Sequence, residues 1–167
     1  PDRFPPEVVG TPDFIAPECV ATSHLSKTDP QRALPSIFTD RHALAVMVYS
    51  LLLLRHPLRG QKVHAEDPGE DERLTMGEKA LFIEHPNDAS NRLAPTENTK
   101  PTELPWKDPK KLPYTVTGPY LKELFDRAFI DGLHEPRQRP SADEWETALV
   151  KTVDLIQPCQ NSSCQQG

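Results

Sequence analysis

Cys159 and Cys164 stand with four residues between them in CQNSSC, near the end of a 167-residue chain. Zinc accepts thiolates at this kind of spacing, but a closed structural site needs four ligands. This pair supplies two. CQNSSC therefore reads either as two solvent-exposed thiols in a tail, as a local disulfide, or as the first half of a zinc ribbon. The six histidines are scattered, with no pair at i, i+4 of the kind that metalloenzyme helices use. Residues 66–72, EDPGEDE, are an acidic run that reads as a solvated loop face or as a docking surface for a basic partner. Residues 10–18, GTPDFIAPE, have neither helical nor strand period. Pro12 and Pro17 each fix φ near −65° and donate no backbone hydrogen bond. Gly10 can take backbone angles closed to other residues. The stretch is a loop held in one particular shape.

The elements that position these groups must come from one domain, by the length of the chain. Hydrophobic residues make up 36% of it and prolines number 19, so part of the chain is loop. A net charge of −6 argues against a nucleic-acid footprint, which needs a basic stripe. The longest apolar run, residues 43–54, is too short for a bilayer, which takes roughly 20 residues. No charged and then apolar leader opens the sequence, and three cysteines make a poor disulfide framework. A cytoplasmic setting with no membrane or nucleic-acid partner is the expectation. The first residues, PDRFPPEVV without Met, read as the start of a piece of something longer.

A short helix is predicted from Pro17. A long one follows with Thr39 or Asp40 as its cap, stopped before Pro57. Because its residues 43–54 are apolar nearly all round, it is expected to be buried on every side as the spine of the domain. Residues 59–117 are a proline-interrupted, polar insert: an extended excursion with one two-turn helix in GEKALFIEHP. Beyond it, Pro119 suits a first helical turn, and Leu121, Leu124, Phe125, Ala128 and Phe129 share one face, with Gly132 as the stop. Ser141 and Glu144 form the pattern of a capping box for a last helix. Trp145, Leu149, Val153 and Ile156 would be its apolar stripe. No stretch alternates with period two, so the fold class is mostly α.

Taken in order, GTPDFIAPE, TDRHALAVMVYSLLLLRHPL and EPRQRPSADEW resemble landmarks of the C-terminal lobe of a protein kinase, over about residues 4–58 and 118–157. GTPDFIAPE looks like the P+1 loop and APE motif that close the activation segment. The second stretch looks like the central αF helix, with Asp40 at the invariant-type aspartate, Leu44 and Val46 in the core and Tyr49 on the next turn. The third looks like the segment before the last helix. The resemblance divides the chain into a partial kinase-like lobe, residues 1–157 with the insert at 59–117, and a tail, residues 158–167. The long insert resembles a group of bacterial kinase-like proteins.

The resemblance implies that Gly10, Thr11 and Pro12 meet a protein substrate, with Thr11 as the threonine of Ser/Thr kinases. It also implies a buried ion pair between Glu18 and Arg139, leaving Arg137 as the exposed arginine, and a structural role for Asp40. ATP and magnesium would serve the parent protein, because the family's Gly-rich loop, HRD and DFG motifs occur nowhere in this sequence. No catalytic residue of the family therefore lies in this chain. His42, Ala45 and Leu54 replace the Trp, Gly and Gly usual in the family. The first two swaps change packing, and Leu54 is expected to lengthen the helix. Two function classes follow: part of a Ser/Thr kinase, or a non-catalytic kinase-like module that binds a protein partner.

Overall fold

The computed structural model describes residues 11–95 and 108–157, and among them there are helices and turns but no strand. The mostly α fold is the one observed. Five α-helices run in chain order: α1 (Pro17–Ala21), α2 (Ile37–Leu53), α3 (Pro68–Met76), α4 (Pro119–Asp126) and α5 (Ala142–Asp154). None is long and apolar enough to cross a membrane.

Helix α2 begins earlier than Thr39. Ser36 is its cap, accepting the Phe38 N–H at 3.2 Å, while the Thr39 hydroxyl accepts the Ser36 N–H at 2.9 Å. This is a capping box in which threonine takes the place usually held by Glu or Gln. The helix also ends on schedule rather than running on: Leu54 turns left-handed at φ 54° and its N–H closes on Ser50 O. The expected burial on every side is not found. Ala45, Val46, Tyr49 and Leu53 are buried, whereas Met47, Leu51, Leu52 and Leu54 are exposed. A helix that is apolar all round has no preferred face, so its neighbours decide which side is covered.

The insert is the larger correction. Its described residues fold back into the core. The acidic run is solvated as expected, but it is helix rather than loop: Asp67 caps α3 by accepting the Glu70 N–H at 2.8 Å, with Pro68 in the first turn. Glu70 and Asp71 then lie at the positive end of the helix dipole. GEKALFIEHP forms no α-helix. It runs as turns that put Ala80, Phe82 and Ile83 into the interior, with the Ile83 N–H on Pro57 O. Asn91, almost wholly buried, donates to Leu58 O and Leu81 O. Gly60 permits that approach, since a Cβ there would meet Asn91 O at 1.7 Å.

Phe82 packs among the rings of Tyr49, Tyr114 and Phe129, and Phe125 carries the cluster on to Trp145. Leu121, Leu124, Phe125, Ala128 and Phe129 are all buried, as the helical spacing requires. After Asp126 the helix widens into a π turn, Arg127–Asp131, which Gly132 ends. The Ser141–Glu144 capping box opens α5. Its buried face is Trp145 and Ala148, turned towards α4; Leu149, Val153 and Ile156 are exposed. The expected stripe holds only at Trp145, because the residues four apart drift off the contact line after one turn.

Candidate functional site

Thr11 and Pro12 are exposed at the entrance to a 3-10 turn, Pro12–Phe14. The Phe14 N–H donates to Thr11 O at 2.9 Å and the Ile15 N–H to Pro12 O at 3.2 Å. Pro17 opens α1 in the same way that Pro12 opens the turn. Each proline thus stands where a backbone N–H would have no helical partner, so the loop loses little by having two of them. Gly10 lies outside the described residues.

Glu18, in the first turn of α1, is gripped by Arg139, which is 121 residues away and almost fully buried. Arg139 Nη1 and Nη2 each stand 2.8 Å from one oxygen of the carboxylate. The remaining donors reach three carbonyls: Nε to Gly132 O at 2.7 Å, Nη1 to Phe38 O and Nη2 to Leu133 O, both at 3.0 Å. A guanidinium has five N–H donors in a planar fork, and all five are used here. The fork joins the loop end, the start of α2, the end of the π turn and the turn before α5. Gly132 has to be glycine, since a Cβ would sit 2.8 Å from Arg139 Cγ. Arg137 is exposed.

Asp40 is not drawn into this junction. It is exposed in the first turn of α2, and among the described residues no side chain pairs with its carboxylate. Its neighbour Arg41 donates to Arg139 O at 3.3 Å. His42 is buried with neither ring nitrogen hydrogen-bonded, edge-on to Phe129. Burial, with the Arg139 charge nearby, pushes its pKa down to about 3, so the ring is neutral. Cys19, on the buried side of α1, is pushed up to about 11, first by burial and then by Glu18. It is no nucleophile at neutral pH.

Four interactions went unread in the sequence. Arg55 and Glu84 form a buried ion pair, and the Tyr49 hydroxyl donates to the same Glu84 oxygen at 2.5 Å. His56 and Arg59 both reach back to Asp13 in the loop, at 2.8 Å and 2.7 Å. The signal was present: polar side chains directly behind an apolar helix need partners. Nothing local names those partners.

Among the described residues no three His, Cys, Asp or Glu side chains come together in a way that could hold a metal ion. Cys159 and Cys164 lie outside the described residues. Comparison with protein-family models, with curated proteins and with solved structures gave no match.

Proposed function

We propose that this chain is the C-terminal-lobe portion of a Ser/Thr protein kinase, in which the loop at residues 10–18 holds a protein substrate in place for phosphorylation. The observation that carries this is the Arg139–Glu18 fork. It ties the end of a proline-stiffened loop to the turn before the last helix, at the two places where the sequence resembles the family. Phosphoryl transfer depends mainly on positioning and electrostatics. A loop whose shape is held at its far end by a buried fork, with Thr11 and Pro12 left exposed, suits that task. The Thr11 hydroxyl is assigned to aligning the acceptor. Nucleotide and metal are assigned to other parts of a longer parent protein.

The test is a phosphotransfer assay on the full-length protein with Thr11→Ala beside it. Turnover should fall while the KM for ATP stays nearly unchanged. A full-length protein that transfers no phosphate to any protein acceptor would overturn the kinase assignment in favour of a binding module. Micromolar binding of Mg-ATP by this chain alone, read by calorimetry, would also count against it.

A further inference from the structure

Asp13 occupies the middle of the turn assigned above to substrate, and it is held from two sides. Arg59 donates from Nε to Asp13 Oδ1 at 2.7 Å, and its Nη2 stands 2.5 Å from the same oxygen. The other edge of that guanidinium forks onto Glu72 of α3, with Nη1 on Oε2 at 2.9 Å and Nη2 on Oε1 at 2.5 Å. His56 grips the backbone of the same residue. Its Nδ1 accepts the Leu58 N–H at 3.1 Å, so the ring proton sits on Nε2, which donates to Asp13 O at 2.8 Å. Arg59 and His56 are 46 and 43 residues from Asp13 in sequence. Between this turn and α3 lies a groove of about 370 Å³, lined in part by Pro12, Ile15, Val20, Glu72 and Met76.

We propose that Arg59 and His56 are positioning residues of the substrate turn, and that the insert, through Glu72 of α3, sets the turn's geometry and the width of the groove beside it. The word substrate here rests on the kinase assignment; the clamp itself does not. The Arg59, Asp13 and Glu72 side chains are 38%, 43% and 47% exposed, and exposed ion pairs add little to global stability. The clamp should therefore act locally. A triad that fixes one turn without supporting the whole fold has a recognisable signature: its loss loosens the turn and leaves the helices alone.

Amide hydrogen exchange on the full-length protein reads this directly. In Arg59→Ala, exchange at Phe14 and Ile15 should quicken about tenfold, with α4 and α5 unchanged, because only the local opening is affected. Glu72→Gln and Arg59→Lys should fall between that variant and the wild type, since each keeps part of the fork. Lys62→Ala, which removes a cation from the same segment, should match the wild type. Unchanged exchange at residues 14 and 15 in Arg59→Ala would overturn the clamp, and so would a speed-up spread evenly over α2, α4 and α5. In a kinase assay the same variant should raise the KM for the protein acceptor and leave the KM for ATP unmoved. An active protein whose acceptor KM does not move would overturn the positioning role. A protein that transfers no phosphate would overturn the kinase assignment instead, and the exchange result would still decide the clamp.

Discussion

Arg139 and Arg55 are both buried, and each pairs with a carboxylate, but they are held differently. Arg139 has three backbone carbonyls besides Glu18, and the Glu18 side chain keeps 27% of its surface in water. Arg55 and Glu84 are 3% and 6% exposed. Glu84 takes the Tyr49 hydroxyl, the Arg55 guanidinium and the Tyr114 N–H on its two oxygens, so both members of that pair sit in the dry interior. Leu112 O also accepts from Arg55. A buried cation surrounded by carbonyls depends less on its acid than one whose acid is sealed in with it. The Arg139 junction is a cation site with an acid at its edge; the Arg55 junction is an ion pair with both members out of water.

Removing each acid separates the two cases. Glu84→Ala should destabilise by about 3–5 kcal/mol, since it breaks a buried ion pair from one side. Glu18→Ala should cost less, about 1.5–3 kcal/mol, in the range of hydrogen bonds to a charged group. Equal losses in denaturant titrations would break the comparison. Removing the cation should erase the difference: Arg139→Ala is expected to lose about 3–5 kcal/mol, and Arg139→Lys should still destabilise, because lysine lacks the planar fork. Arg137→Ala, at an exposed position, should stay within about 0.5 kcal/mol of the wild type.

A smaller effect sharpens the picture of the Arg139 junction, where His42 is neutral and buried. Unfolded histidine takes up a proton below about 6.5, whereas folded His42 does so only near 3. Between these values the unfolded state holds the extra proton, so stability falls as the pH drops. The slope approaches about 1.4 kcal/mol per pH unit below pH 6, which gives about 1.6 kcal/mol between pH 6.5 and pH 5. Glu144, held down to about 2 by Arg127, loses its contribution only below that window. His56 and His64 are also lowered and act in the same sense. The readout is therefore the difference in slope between wild type and His42→Phe. Parallel slopes would mean that His42 is not held neutral.

The smallest expected change is a gain. Leu54 holds a left-handed conformation at the end of α2 with its side chain largely exposed. Glycine adopts those angles without the Cβ clash, so Leu54→Gly should stabilise by about 1 kcal/mol. A loss on thermal melting would show that the leucine side chain has a partner that offsets its strain.

Local chemistry explains what was legible. Pro17, Pro119 and the Ser141–Glu144 box mark helix starts because each satisfies, or does without, backbone groups within four residues of itself. The start of α2 was misplaced because its box uses Thr39 where Glu or Gln is usual, so Ser36 gave no familiar pattern. GEKALFIEHP looked helical because its apolar residues are close together, yet Phe82 and Ile83 are spent on the core in an irregular backbone. The pairing of Glu18 with Arg139 was expected only through a family resemblance, since nothing in a separation of 121 residues points to it.

By itself, then, the order of residues determined that this is a helical chain, where most of its helices begin and which face of α4 is buried. Those outcomes depend on hydrogen bonds and side-chain spacings inside one element. Only the tertiary structure decided which half of the apolar α2 is covered, that the insert returns to the core, and which carboxylate each cation meets. The reason is physical: apolar contact is not directional and charge acts through space, so neither carries a record in the sequence of the partner it will find.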